Sequence, residues 1–211
     1  MAADCFPAYP VSLVVAGQPC LVVGGGPVAT RKVEGLSRGG ARVTVVAPRV
    51  EPDVERIAAE RGVAVERRPY RRGEAASYRL VITATGVPEV DAAVAADAGA
   101  AGVWVNSADD PAHCTFLLPA VHRDGPVTVA VSTGGASPAL AVWLRRQIAE
   151  ALGEGLGEMA ELLANARRAV QASGRPTESV DWRAVLAGPF TELVQAGRLD
   201  DARRLLGQAI T

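Results

Sequence analysis

Aromatic residues are scarce in this chain, with three Trp, three Tyr and three Phe making up 4% of 211 residues. So few rings offer little stacking surface to single-stranded nucleic acid. Cysteine is equally sparse. Cys5, Cys20 and Cys114 are widely spaced, which argues against a disulfide framework and for a reducing cytoplasm. Neither sign of charge dominates: 22 Lys and Arg face 23 Asp and Glu, for a formal net charge of −1. That leaves no basic field for a nucleic acid or an anionic membrane. No apolar run approaches the roughly 18–20 residues of a membrane span. The N-terminal stretch carries Asp4 and is interrupted by Pro7 and Pro10, so it reads as a poor signal peptide.

Apolar residues, by contrast, make up 49%. The length suffices for one substantial core and a smaller second domain. The chain is organised around Cys20–Lys32, CLVVGGGPVATRK. The run Leu21-Val22-Val23 reads as a buried strand, three glycines as a tight turn, and the segment from about Val28 as a helix. The spacing Gly24-x-Gly26-x-x-Ala29 fits the dinucleotide fingerprint in its G-x-G-x-x-A form. Gly24 permits the turn, Gly26 lets a pyrophosphate approach the backbone, and Ala29 lets helix and strand pack closely. Unpaired N–H groups at the helix start then face the anion. The plainer alternative is a glycine-rich turn and nothing more.

Around this stretch the pattern alternates strand and helix. Val11–Val15 and Pro19–Val23 read as two strands about the turn Ala16-Gly17-Gln18, and the first helix ends at Gly39-Gly40. Strands follow at Arg42–Ala47, Val63–Arg67, Arg79–Ala84 and Gly102–Asn106, with helices at Pro52–Arg61 and Val90–Ala100. The end of the second strand reads Ala47-Pro48-Arg49, where a domain that reads the ribose 2′-hydroxyl usually has Asp or Glu. NAD and NADP therefore stay open, and Arg49 can meet a 2′-phosphate, lie along the adenine or face solvent. The run Arg67–Arg72 reads as a solvated basic turn. Thr85-Gly86, at the end of the fourth strand, suits the edge of a cofactor crevice.

After Asn106 comes a polar loop, Ser107–Thr115, and then two strands, Thr115–Ala120 and Pro126–Ser132, about Arg123-Asp124-Gly125. Ser137-Pro138 reads as N-cap and first helical residue. Leu140, Leu144, Ile148 and Leu152 share one face, and Met159, Leu162, Leu163, Ala166 and Val170 mark a second helix. Residues 180–211 read as two short helices parted at Leu186–Pro189. The fold class is thus α/β: a Rossmann-type parallel sheet, a small α+β region and a helical C-terminal part, with boundaries at 1–116, 117–152 and 153–211.

Four motifs occur in order: GGGPVATRK, the strand-end TATG, NSADDPAHCTFLLPA and VAVSTGGASPALAVWLR. Together they resemble the precorrin-2 dehydrogenase/sirohydrochlorin ferrochelatase family, the siroheme-synthase dehydrogenase module, over about residues 10–155. The resemblance implies a stand-alone form, with no room for the methyltransferase domain that some members carry. It implies NAD-dependent oxidation of precorrin-2 to sirohydrochlorin, with Fe²⁺ insertion by some members. It also implies a homodimer formed through the middle part, with the tetrapyrrole between that part and the nucleotide domain. The family's essential aspartate, in its N-x-x-D-x-P context, is Asp109, and Asn106, which opens that motif, is expected among the cofactor-binding residues. The family's nucleotide contacts carry over to Pro27, Val28, Pro48 and Arg49. Its serine-rich loop becomes Ser132, Thr133 and Ser137, with Gly134 between. In relatives the middle position can be a phosphorylated serine, and Thr133 keeps the hydroxyl.

The chemistry fits these residues. Oxidation removes a hydride, taken by an oxidised nicotinamide, and protons, for which Asp109 is the candidate acceptor. In chelation the same carboxylate can accept pyrrole protons or present the metal. As a plainer role, Asp109 forms a turn before Asp110-Pro111. A polycarboxylate substrate calls for donors, which the N–H groups and hydroxyls of Thr133–Ser137 supply, helped by Arg123, Arg145, Arg146 and Lys32. His113 and Cys114 sit nearby as candidate metal-passing ligands, beside the plainer reading of a partly exposed His and a small core Cys, since metal sites show more ligands at defined spacing; His122 has less support. Two other readings stand beside this one: an NAD(P) oxidoreductase of a small metabolite, and a non-enzymatic nucleotide-sensing module.

Overall fold

The apolar run before the glycines becomes the middle of a sheet. In the computed structural model, which describes residues 6–108 and 110–210, β1 (Pro19–Val23) pairs in parallel with β2 (Arg42–Val46) and with β4 (Leu80–Thr83). β3 (Ala64–Glu66) extends the sheet beyond β2, and β5 (Trp104–Ser107) beyond β4. The order is β3-β2-β1-β4-β5, all parallel. Strands covered on both faces read as continuous apolar runs, as LVV and LVIT do here. Between strands run α1 (Pro27–Arg38), α2 (Pro52–Arg61) and α3 (Pro88–Ala100). Each begins on a proline at its first turn, where the missing N–H costs nothing. Val22, Val43 and Val45 pack with Ala29 and Val33 of α1 and with Val54 and Ile57 of α2. On the other face Leu21, Val23, Val81 and Val105 pack with Val94, Ala95 and Ala98 of α3. The strand order reverses between β1 and β4, and in open α/β sheets ligands bind beyond the carboxyl ends at such a point.

Four expectations are corrected, the last of them in part. Val11–Val15 forms no strand; Tyr9, Val11 and Val14 are exposed. Both edges of β1 are already taken by β2 and β4, so that segment has no edge of β1 left to pair with. The hairpin strands start later than expected, at β6 (Ala120–Asp124) and β7 (Val127–Val131). Thr115 is instead held against β5: the Thr115 N–H donates to the Val105 carbonyl at 2.8 Å, and the Val105 N–H to the Thr115 hydroxyl at 2.8 Å. Residues 180–211 hold three helices rather than two, α6 (Trp182–Ala187), α7 (Pro189–Gln195) and α8 (Leu199–Ala209). Gly197, at φ +70, supplies the second break. The basic turn also differs in part. Arg68 is half-buried and bridges Glu66 and Glu74.

The chain divides into two compact units, Met1–Leu118 and Pro119–Thr211. In the second, α4 (Pro138–Leu152) packs on the β6–β7 hairpin, and α5 (Leu156–Ala172) follows. Gly125 can meet Gly157 closely: a Cβ on Gly125 would stand 2.9 Å from the Gly157 Cα. Met159, Leu162 and Ala166 of α5 form a core with Phe190, Val194, Ala202 and Leu206. Leu140, Val142 and Trp143 of α4 are exposed. Among the described residues no helix is long and apolar enough to cross a membrane.

Candidate functional site

The three glycines of the turn after β1 do different work. Gly24 sits at φ +124, and a Cβ there would fall 2.2 Å from the Ala84 carbonyl oxygen. The turn and the end of β4 therefore touch through backbone. A Cβ on Gly25 would fall 2.1 Å from the Arg49 carbonyl oxygen and 2.8 Å from the Val50 Cα. The fingerprint reading missed Gly25, because its spacing marks only the outer two glycines. Gly26 has an ordinary φ of −87° and nothing within 4 Å of a Cβ. Among the described residues nothing demands a glycine there, and the space in front of it is open.

That space lies at the start of α1. Gly26 is the N-cap, no side chain caps the helix, and its first turn has no acidic residue. Pro27 has no N–H, and the N–H groups of Val28 and Ala29 have no acceptor within the helix. The Thr30 N–H and hydroxyl both donate to the Gly26 carbonyl, at 3.0 and 3.1 Å, which fixes the turn. Buried Ala29 permits close packing on the sheet. Open backbone, uncapped N–H groups and the positive end of a helix dipole suit a pyrophosphate. At the end of β2, Ala47 is buried while Pro48 and Arg49 are exposed, and the Glu51 N–H donates to the Gly25 carbonyl at 2.9 Å.

The end of β4 is held by a residue that sequence reasoning missed. Buried Asp91, from the first turn of α3, accepts the hydroxyls of Thr83 and Thr85, the latter at 2.7 Å, and the Thr85 N–H at 3.3 Å. The Thr85 hydroxyl also accepts the Val87 N–H at 3.0 Å. Thr85, assigned to the cofactor, thus spends its hydroxyl on shaping the crevice edge. Its signal was the alternation Thr83-x-Thr85 followed by an acid in a helix start.

At the end of β5, buried Asn106 donates to the Phe116 carbonyl at 3.0 Å and to the Cys114 sulfur at 3.4 Å. Its amide ties down the following loop. Cys114 also receives the Ser107 N–H at 3.2 Å, and burial pushes its thiol up from the ordinary value. The Ser107 Oγ is buried and has no hydrogen-bond partner among the described residues. The Asp110 carboxylate accepts the Ala112 N–H at 3.1 Å and lies 2.8 Å from the His113 Nδ1. Asp109, the candidate catalytic residue, lies outside the described residues. Among those described, no three His, Cys, Asp or Glu side chains are grouped to hold a metal ion.

In the second unit the Thr133 hydroxyl donates to the Ser137 carbonyl at 3.0 Å and accepts the Ser137 N–H at 3.1 Å. The Ser132 hydroxyl accepts the Gly134 N–H, and the Ser137 hydroxyl caps α4 through the Leu140 N–H, both at 3.2 Å. The hydroxyls of this loop build the turn. Arg123 and Arg146 are exposed and Arg145 is half-buried.

Comparison with known proteins agrees with this geometry. Residues 11–120 match the family model described as putative NAD(P)-binding, and residues 124–151 match the model for the sirohaem biosynthesis protein central segment. The siroheme synthase of Methylococcus capsulatus is 40% identical over 202 residues, covering 95% of this chain and 43% of the relative. That of Pseudomonas putida is 40% identical over 192 residues, covering 90% and 41%. The chain therefore spans about two fifths of the length of these curated relatives. The solved structure of SirC, precorrin-2 dehydrogenase, superposes with a TM-score of 0.75 at 23% identity, over 95% of this chain and all of that one. That likeness shows a shared fold. The NAD(P)-binding model covers more than half of the chain and the sirohaem central model matches the segment after it, so the chain belongs to the family described as putative NAD(P)-binding.

Proposed function

We propose that the chain is an NAD-dependent precorrin-2 dehydrogenase, oxidising precorrin-2 to sirohydrochlorin by removal of a hydride and a proton. The observation that carries this reading is the open space at Gly26 before an uncapped helix, in a chain 40% identical to a siroheme synthase over 95% of its length. Bound there, the dinucleotide supplies a hydride acceptor. The N–H groups of Val28 and Ala29 hold its pyrophosphate, and Pro27, Pro48 and Arg49 border the adenosine side. The Asp91 clamp keeps Thr85-Gly86 out of the way of the nicotinamide side. Asp109 takes the proton that the macrocycle loses. Substrate carboxylates are assigned to the loop of Thr133, Gly134 and Ser137, at the Thr133 and Gly135 N–H groups, since the hydroxyls and the Gly134 and Ser137 N–H groups are already engaged in the turn.

The division at 116/117 and 152/153 is kept as a functional one, the middle segment serving the dimer and the substrate. Exposed Leu140, Val142 and Trp143 support burial of that segment in a homodimer, and sparse cysteine supports a cytoplasmic location. Incubation with precorrin-2 and NAD⁺, followed by absorbance, should yield sirohydrochlorin. Absence of NAD⁺-dependent product overturns the proposal. Asp109→Asn should abolish oxidation, and an unchanged rate returns that residue to a turn-forming role. Adding Fe²⁺ to the product tests chelation separately, read as insertion faster than without protein.

A further inference from the structure

We propose that Glu51 reads the adenosine ribose and selects NAD over NADP, a task that the end of β2 cannot perform in this chain. The inference rests on the dinucleotide-binding reading and deepens it. Domains of this topology that read NAD carry a carboxylate at the end of the second strand, where it accepts the ribose hydroxyls and repels a 2′-phosphate. Here that position is Ala47, 3% exposed, followed by Pro48. A buried methyl group accepts no hydrogen bond.

The next turn does approach the dinucleotide. The Glu51 N–H donates to the Gly25 carbonyl at 2.9 Å, and the Arg49 carbonyl and Val50 Cα fill the space that a Cβ on Gly25 would need. Residues 49–51 therefore lie against the glycine turn itself. Two charges sit on this turn, Arg49 and Glu51, and both are exposed. Neither side chain has a hydrogen bond or an ion pair with any described residue. Their neighbours are already engaged: Arg56 pairs with Asp53 and Glu60, and Arg67 with Glu55. Glu51 is also the N-cap of α2, yet its carboxylate accepts no backbone N–H. The carboxylate remains available to a ligand.

The two charges favour different nucleotides, and their surroundings decide between them. A 2′-phosphate beside Arg49 would also stand beside Glu51, with Asp53 and Glu55 in the first turn of α2 behind it. A neutral ribose meets no like-charge repulsion and offers hydroxyl donors to Glu51.

Calorimetric titration of the full chain with NAD⁺ and with NADP⁺ tests this without turnover. The wild type should bind NAD⁺ at least tenfold tighter. Glu51→Gln keeps the shape and removes the charge, so NAD⁺ should weaken, NADP⁺ should tighten, and the preference should fall at least fivefold. Glu51→Asp should keep the wild-type preference for NAD⁺. The nucleotide-free melting temperature should not move, because Glu51 contributes only its backbone to the fold. An unchanged preference in Glu51→Gln, or a wild type that prefers NADP⁺, overturns the proposal. A wild type that binds neither nucleotide removes the dinucleotide-binding reading, and the proposal with it.

Discussion

The carbonyl oxygen of Ala84 lies 2.2 Å from where a Cβ on Gly24 would stand. Two strand ends that are 60 residues apart in sequence thus meet through bare backbone at the switch point of the sheet. Gly24→Ala adds that clash to a φ of +124°, and should cost at least ~3 kcal/mol of stability. Gly26→Ala should cost under ~1 kcal/mol, since it meets nothing and its φ is ordinary, yet weaken NAD⁺ binding at least tenfold. Denaturant unfolding and nucleotide titration of the two variants check this opposition. Equal losses in both assays would contradict it.

Asp91 is the acceptor that gathers Thr83 and Thr85. Asp91→Ala leaves two hydroxyls and one N–H without that acceptor inside the crevice edge, and should destabilise the first unit by about 2–3 kcal/mol. Thr85→Val, which removes one donor but keeps the shape, should cost about 1 kcal/mol. A double-mutant cycle by chemical denaturation should show coupling between the two sites.

Thr133 closes its loop by donating to and accepting from Ser137. Thr133→Val should lose about 1–2 kcal/mol, and Thr133→Ser much less. Ser137→Ala removes the cap on α4 and should cost about 1 kcal/mol. Thermal unfolding checks the ranking. A phosphoryl group on Thr133 would remove the donor and should loosen the same loop.

The connection between β3 and β4 gives the fold a defined response to acid and alkali. The Gly73 N–H at 2.6 Å, joined by the Tyr70 hydroxyl at 2.9 Å, holds the Asp97 carboxyl below its ordinary value of 3.8. The folded state thus binds this proton less readily than the unfolded chain does. Its contribution is complete above the ordinary value and is lost as pH falls through the lower folded one. Burial, aided by Asp97, pushes Tyr70 from 10.0 up to about 12, so its contribution is lost as pH rises across that interval. Unfolding of Asp97→Asn across pH should show a flatter acid limb than the wild type. An identical limb would contradict the assignment.

Much of the first unit was legible in the sequence, because its signals are local. A strand, a glycine turn and a proline-started helix each declare themselves within a few residues, as do Ser137 capping α4 and the 3.6-residue spacing of Met159, Leu162, Ala166 and Val170. Other features were hidden because their cause lies far along the chain. Gly25 is required by the backbone of Arg49 and Val50, and Asn106 is committed to Phe116 and Cys114. Val11–Val15 has the composition of a strand, but composition does not say whether a sheet edge is left to pair with.

The same division holds for the site. The sequence by itself determined that a dinucleotide fingerprint stands after an apolar strand, and that the second strand ends in Ala47-Pro48-Arg49 with no acid there. Only the tertiary structure decided which glycine faces open space, that Asp91 holds the crevice edge, and that Glu51 stands against the glycine turn. Backbone conformation follows from near neighbours, whereas the space in front of a residue depends on which distant segments the sheet brings beside it.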